Sequence, residues 1–377
     1  MKKSRTFLGL SLVVLLAVGA IAAGGAEVGG RGLYRLVGLF GQVVGLVRSS
    51  WVEEVEVERL EMGAITGLVE SGDPGGVWVP EEHAALYASL SARNEPAFGL
   101  VLGKRGSYPF VLAVLPGSPA ARAGLTPGEF VERIAGEPVR ARPLWLPRVL
   151  LERGEQGGMA LTLDVIDRFL EGKKQVELQP RQTPPTAAQV TVEDGVPVLR
   201  VSVLSAISIA EIERGLLVHG GAAALVVDAR GAALGSAQDA VTIAAVIAGG
   251  AVQVALQDRS GVAGALKAQR SARSWRVIVC IDNTTAGPAE TLACALKGQG
   301  ATLVGGESYG DTGQREARAA AGGQLWLARR WCLGPDGKAL LGDGLKPDEA
   351  VRPRKEGDAV LGRALELARG QGLRKAA

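Results

Sequence analysis

Residues 224–256 read ALVVDARGAALGSAQDAVTIAAVIAGGAVQVAL. Residues 224–228 form a short apolar run of strand type, closed by Asp228 and the turn former Gly231. Apolar residues then recur at helical spacing over 238–248, and 252–256 reads as another strand. The alternation continues on both sides, with a strand over 198–203 and a helix over 209–218 upstream. A strand over 277–281 and a helix over 289–296 follow. Strands that alternate with helices in this order predict an α/β core with a mostly parallel sheet.

Upstream of that core the texture differs. Residues 97–165 are short strands and turns, with Pro116-Gly117-Ser118-Pro119-Ala120 as a turn into a short helix. A helix is expected over 144–151 and a closing strand over 160–165. Residues 168–185 are polar, end in Thr183-Pro184-Pro185, and read as a linker. Before residue 97 the spacing of Leu36, Leu39, Phe40, Val43, Val44 and Val47 predicts a helix, and a second is expected over 52–69. Asp73-Pro74-Gly75-Gly76 breaks the pattern, and a further helix starts near Pro80-Glu81-Glu82. Residues 353–377 read as a C-terminal amphipathic helix. The expected division is 1–26 leader, 34–96 helical, 97–168 β-rich, 169–188 linker and 189–352 core.

Composition narrows the function classes. Hydrophobic residues make up 47% of the chain and aromatics only 4%, with 53 glycines, a globular composition built on Ala, Val and Leu. Lys2, Lys3 and Arg5 precede an apolar run over 7–23 and small residues at 20–22, the layout of a secretory signal. The run is about 17 residues, near the lower limit for crossing a bilayer, so both cleavage and inner-membrane association through an uncleaved N-terminus stay open. The chain is expected to be exported, either periplasmic or anchored to the membrane facing outward. The formal charge is +3, and three basic residues lie in this leader, which has no acid before Glu27. The remainder is neutral and offers no electrostatic footprint for nucleic acid. Cys280, Cys294 and Cys332 each sit in apolar segments and read as buried thiols, with one disulfide as the alternative. With His83 and His219 as the only histidines, no metal-ligand spacing exists. No metal and no cofactor is expected, and the oligomeric state is not readable.

Several landmarks, in order, resemble the carboxyl-terminal processing proteases. Trp51-Val52-Glu53-Glu54-Val55, Gly63-Ala64-Ile65-Thr66-Gly67-Leu68 and Asp73-Pro74 look like that family's N-terminal helical region. Pro116 to Ala120 and Ala123-Gly124-Leu125-Thr126-Pro127-Gly128-Glu129 are similar to its PDZ domain. Leu225 to Gly231 resembles its LDLRG strand, Gly306-Glu307-Ser308-Tyr309-Gly310 its GETTFG turn, and Gly344-Leu345-Lys346-Pro347-Asp348 its GIKPD close. The resemblance implies an N-terminal helical region, an inserted β-rich PDZ domain and an α/β spiral core of the ClpP/crotonase type. It also implies a groove that takes peptides or protein C-termini by strand addition. Phe98, Gly99 and Leu100 would hold the terminal carboxylate, and Leu144 and Val149 would line the opposite helix wall.

The family resembles a Ser/Lys machine in which a neutral lysine takes the serine proton and a glutamine orients the lysine. Its TASASE segment aligns without a gap on Thr285-Ala286-Gly287-Pro288-Ala289-Glu290, so the serine position is Gly287. Its FGKGxxQ segment aligns on Tyr309-Gly310-Asp311-Thr312-Gly313-Gln314, one residue short. The lysine position is thus Asp311, while Gln314 keeps the third role in shifted geometry. The glycine-rich oxyanion region becomes Ala232-Ala233-Leu234-Gly235. Two readings follow: an exported, non-catalytic peptide-binding homologue, or a serine-type endopeptidase with an unrecognised nucleophile. For the second, Thr284 or Thr285 with Asp311 as base is one candidate, and His219 with Asp228 and a serine is another. The structural alternatives are helix N-capping by Thr285 or Ser308, and a strand-end pair of Asp228 with Arg230. His83 reads as solvated on its helix face.

The leader supplies a direct test. Residues 1–35 fused to a reporter active only after export are expected to give signal. A fusion that stays in the cytoplasm contradicts the reading.

Overall fold

The computed structural model describes residues 30–92, 95–180, 188–271, 275–320 and 322–370. The leader over 1–26 lies outside them, as do 181–187 of the expected linker and the last residues of the expected C-terminal helix. The chain divides into two units, 1–65 and 66–377. The first carries helix α1 (Gly30–Ser50) and the start of α2 (Val57–Gly72). The second helix begins later than its apolar pattern suggested, because residues 51–53 form a bend and 54–56 no regular structure. Among the described residues no helix is long and apolar enough to cross a membrane.

The core of the second unit is a six-stranded sheet. Its strands are β8 (Ala188–Glu193), β9 (Val196–Val201), β11 (Ala224–Asp228), β15 (Arg276–Ile281), β16 (Thr302–Gly305) and β19 (Glu349–Ala350), in the order β19-β16-β15-β11-β9-β8. All neighbours are parallel except the hairpin β8–β9. Alternate residues of β11 and β15 face opposite layers, so both strands read as continuous apolar runs. Leu225, Val227, Val279 and Ile281 pack against the helices Ala237–Ala248 and Pro288–Gly298. Val226, Ile278 and Cys280 pack instead against Val360, Ala364 and Leu365 of the helix Ala359–Ala368. The three cysteines are buried thiols, as their apolar neighbours suggested.

Two further sheets were less legible. β1 (Val77–Pro80), β13 (Gly250–Asp258), β14 (Gly261–Arg270), β17 (Gln314–Ala320) and β18 (Gly323–Cys332) form an antiparallel sheet. The strand expected over 252–256 therefore lies in this sheet and not in the parallel one. The β-rich unit is a second antiparallel sheet, ordered β2-β3-β4-β6-β7, with β5 (Glu137–Pro138) beside β4. Its strands are β2 (Leu100–Arg105), β3 (Tyr108–Val114), β4 (Phe130–Ile134), β6 (Leu161–Ile166) and β7 (Lys173–Leu178). β7 corrects the linker expected over 169–188. It is a polar edge strand in which Val176 and Leu178 are buried and Lys173, Lys174, Gln175 and Glu177 face water.

Asp228 and Arg230 form the structural pair at the end of β11. Arg230 donates Nε to Asp228 Oδ1 at 2.8 Å and Nη2 to Asp228 Oδ2 at 2.7 Å. The same guanidinium reaches Asp358 at 2.7 Å and so ties β11 to the N-cap of the last helix. His219 stands apart in the turn that follows the helix Ala206–Leu217. Arg230→Met leaves Asp228, 7% exposed, without its main counter-ion. It is expected to lower the unfolding free energy by about 2–3 kcal/mol in urea titrations, since water screens the half-exposed Asp358 and Arg200 remains 3.9 Å from Asp228.

Candidate active site

The segment that holds Gly287 is a turn between β15 and the helix Pro288–Gly298. Gly287 is the N-cap residue at φ 54°, ψ −116°, followed by proline in the first helical turn. An L side chain is strained there. Space is not the obstacle, since a Cβ would meet only the Asp311 and Ala233 carbonyls, at 3.5 and 3.7 Å. The backbone is thus shaped as a sharp strand-to-helix turn of the kind that presents a nucleophile. Glycine occupies it without strain and without a reacting group.

One buried carboxylate organises this turn. Glu290, three residues into the helix and fully buried, accepts from Gly287 N at 3.1 Å and Asp311 N at 2.8 Å on Oε2. Its Oε1 accepts from Ser308 Oγ at 2.5 Å and Gly310 N at 2.6 Å. Ser308 Oγ in turn accepts from Leu345 N at 2.7 Å, and Tyr309 N donates to the Thr285 carbonyl at 2.9 Å. The loop after β16 is therefore pinned to the Gly287 turn at several points. Burial pushes the Glu290 carboxyl up to about 7, against the four donors that favour its anion.

The threonines serve this scaffold. Thr284 Oγ1 donates to Asp282 Oδ1 at 2.5 Å and accepts from Gly231 N at 2.8 Å. Thr285 Oγ1 accepts from Asp282 N at 3.1 Å. Both side chains are buried. Neither Thr285 nor Ser308 caps the helix, which corrects that expectation: Glu290 supplies the reciprocal bond to the N-cap N–H instead.

At the lysine position, the Asp311 carboxylate turns to Arg315, which donates Nη1 to Oδ2 at 3.0 Å and Nη2 to Oδ1 at 2.8 Å. Arg315 also donates to both oxygens of Asp73, from Nη2 at 2.5 Å and Nε at 3.0 Å. Asp73 is completed by Gly75 N and Ala328 N. The guanidinium sits so close to the Asp73-Pro74-Gly75 turn that a Cβ on Gly75 would overlap it. Desolvation would favour loss of its proton, yet the two carboxylates hold the Arg315 pKa above its ordinary value. A charge of the opposite sign to the expected lysine thus stands at 311, neutralised by an arginine four residues on. Gln314 opens β17 opposite Arg330.

The segment expected to form the oxyanion region pairs with a neighbouring strand. Leu234 and Gly235 form β12, parallel to β10 (Val203–Leu204). Gly235 has φ 117°, and a Cβ there would run into the Leu204 carbonyl, so only glycine fits. Leu234 and Ala233 line one end of a groove of about 230 Å³ that runs along β2. Its other walls include Tyr87, Leu100 to Leu102, Arg148 and Leu151.

That groove revises the expected peptide wall. Val149 is 1% exposed, Leu144 and Phe98 are likewise buried, and none of the three lines the groove. Arg148 and Leu151 of the helix Trp145–Gln156 line it instead. Phe98 and Gly99 both have positive φ, 53° and 70°, as a tight Φ-Gly-Φ turn requires. Their N–H groups are engaged within the chain. Phe98 N donates to Glu155 Oε1 at 3.0 Å, Gly99 N to Pro96 O at 2.9 Å, and Leu100 N to Ala97 O. Tyr309 Oη bridges both backbone groups of Lys104 on β2, accepting from N at 2.8 Å and donating to O at 2.7 Å. Glu290 and Tyr309 entered the sequence reading only as motif neighbours, and Arg315, Arg148 and Glu155 did not enter it. Glu290 was signalled by its place three residues after an N-cap, and Arg315 by its i,i+4 spacing from Asp311.

His83 is also placed differently. Its side chain is 13% exposed and stacks on Trp145 with ring centroids 4.9 Å apart, so it packs where solvation was expected. Among the described residues no group of acidic, histidine or cysteine side chains could hold a metal ion.

Comparison with known proteins gives one consistent answer. Residues 206–351 match the family model of peptidase family S41. The chain is 22% identical over 311 residues to the carboxy-terminal processing protease CtpA of Bacillus subtilis, covering 80% of this chain and 66% of that protein. It is 23% identical over 316 residues to a probable CtpA-like serine protease of Staphylococcus aureus, covering 81% and 63%. It spans just under two thirds of the length of these relatives. Among solved structures, the photosystem II D1 C-terminal processing protease superposes with a TM-score of 0.66 at 18% identity, over 85% of this chain and 89% of that one. That likeness carries the fold.

Glu290→Gln replaces two of the four accepting sites with a donor that faces other donors. It is expected to destabilise the fold by about 2–4 kcal/mol. A carboxyl that ionises later in the folded chain than in the unfolded one binds an extra proton between its ordinary 4.5 and about 7. Its stabilising share is therefore complete below pH 4.5 and declines as pH rises to 7. Denaturant titrations across this window should show the decline in the wild type and not in Glu290→Gln.

Proposed function

We propose that this chain, a member of the carboxyl-terminal processing protease family, binds peptides or protein C-termini without cleaving them, as an exported protein. One observation carries the reading: the residue at the apex of the strand-to-helix turn is Gly287, which has no side chain to attack with. Supporting it, the Asp311 carboxylate is committed to Arg315 and the hydroxyls of Thr284 and Thr285 to scaffold bonds. A hydroxyl nucleophile needs a base within hydrogen-bond reach and oxyanion donors aimed at the developing charge. Among the described residues, a Cβ at Gly287 would meet only the Asp311 and Ala233 carbonyls and no basic side chain, and Leu234 stands where the resemblance expects a glycine.

The β-rich unit, β2 to β7 with its flanking helix, is read as a PDZ-type module and its groove along β2 as the peptide site. An apolar C-terminal residue suits the Leu100, Val101 and Leu151 lining. A single strand addition with one side-chain pocket buries little area, so affinity should be roughly micromolar.

Nucleophile, base and oxyanion hole act as a unit, so restoring one member recovers little. Gly287→Ser alone and Asp311→Lys alone are expected to give no turnover of an unfolded substrate or of one with an apolar tail. The double variant should show at most a trace, because a misplacement of about 1 Å costs about a hundredfold in rate. Cleavage that co-purifies with the wild-type protein and is lost on Thr284→Ala or Thr285→Ala would establish the endopeptidase reading instead.

A further inference from the structure

Helix α1 has an apolar face that stays open to water. Val37, Leu39, Phe40, Val43 and Leu46 are between 39% and 56% exposed, and Val44 and Val47 are half-buried. At about 3.6 residues per turn, these side chains share one half of the circumference between Arg35 and Ser49. Gly38, Gly41, Gln42 and Gly45 fall on the other half. Trp51 N donates to the Val47 carbonyl at 3.0 Å and closes the last turn, which places Trp51 on the apolar half. Trp51 is 62% exposed.

The charges sit at the two edges of that face. Arg35 stands about three full turns before Leu46, and Arg48 about three full turns after Val37, so one arginine flanks each border of the apolar half. Both are exposed, and residues 28–52 contain no acid. The helix dipole accounts for a cation at Arg48 in the last turn but not for Arg35. Half the circumference is wider than the narrow seam of a two-stranded coiled coil. Nor is α1 long and apolar enough to cross a bilayer. An apolar half bordered by arginines and free of acids is the layout of a helix that lies in a membrane surface. There the arginine stems cover apolar ground while their heads reach lipid phosphates.

We propose that α1 is an interfacial anchor whose apolar face lies in the surface of an anionic lipid bilayer, with Arg35 and Arg48 at the headgroups. Trp51 sits at the boundary, the level at which tryptophan settles between water and lipid. The anchor is separate from the expected leader: α1 begins at Gly30, so a chain that has lost residues 1–26 keeps it. Each arginine near an anionic surface strengthens binding by about fivefold before salt screening. Burial of the apolar face supplies the rest. Nothing in this assignment depends on the peptide-binding reading above.

The test is sedimentation of purified residues 27–377 with vesicles of phosphatidylcholine alone and of phosphatidylcholine mixed with phosphatidylglycerol. This chain keeps every described element and lacks the leader, whose own apolar run would bind lipid. It is expected to bind the mixed vesicles about tenfold tighter than the neutral ones. Tryptophan emission should shift to the blue on binding, and Trp51→Phe should remove the shift. Phe40→Ser combined with Val43→Ser should weaken binding to mixed vesicles about thirtyfold, with thermal unfolding unchanged. Arg35→Gln combined with Arg48→Gln should bind both vesicle types alike, and it serves should the serine variant fold poorly. No sedimentation with either vesicle, or equal binding by the serine variant, overturns the proposal. So does a lipid-free dimer in analytical ultracentrifugation that the serine variant breaks while the unsubstituted chain ignores vesicles, a result that assigns the face to a second copy of this chain.

Discussion

A carboxylate with no exposure to water survives only where its lone pairs are filled, and Glu290 fills its four with donors from two separate segments. That requirement fixes the site. Gly287 N and Asp311 N share one oxygen, so the strand-to-helix turn and the loop after β16 cannot move independently. Ser308, bonded to the other oxygen, extends the hold to Leu345. Removing an ion of this kind from water costs several kcal/mol, and a network with every member satisfied is what offsets it. The same loop carries Tyr309, whose hydroxyl bridges both backbone groups of Lys104. One buried carboxylate thus helps set where the β-rich sheet meets the core.

Within this frame the position where the resemblance expects a lysine is engaged in ion pairing. Asp73, Arg315 and Asp311 form a continuous array in which the arginine is nearly surrounded, and Gly75 exists in that turn because no Cβ could fit beside the guanidinium. Arginine stays charged in proteins, so it cannot act as the neutral amine base that a Ser/Lys mechanism requires. Glycine at 287 relieves the backbone strain that a side chain there would bear. Both features favour stability over reactivity, the direction that the proposed reading requires.

Much of this was legible in the sequence where local pattern and site coincide. The parallel core shows in the alternation around Leu225 to Asp228, since strands buried on both faces read as unbroken apolar runs. The positions of Gly287 and Asp311 follow from ungapped neighbours such as Ala289-Glu290 and Tyr309-Gly310. Less legible was whatever depends on distant partners. β7 looked like a linker because its outward residues are lysine, glutamine and glutamate, and only its pairing with β6 makes it a strand. β13 reads like the parallel strands around it, yet pairs with β14 and β18. Which residues of the helix Trp145–Gln156 reach the groove depends on its packing partners, so Val149 was expected where Arg148 and Leu151 line it. Asp73 and Arg315 meet across most of the length of the chain, and no spacing rule connects them.

On the proposed reading, no side chain in the cleft is an activated nucleophile. Intact-mass spectrometry after incubation of the purified protein with an acylating or phosphonylating serine-hydrolase probe tests it most directly. An unmodified mass is expected at a probe concentration that fully labels an active Ser/Lys peptidase run beside it. A stoichiometric adduct, mapped by peptide sequencing to Thr284, Thr285 or any other residue of the cleft, would contradict it.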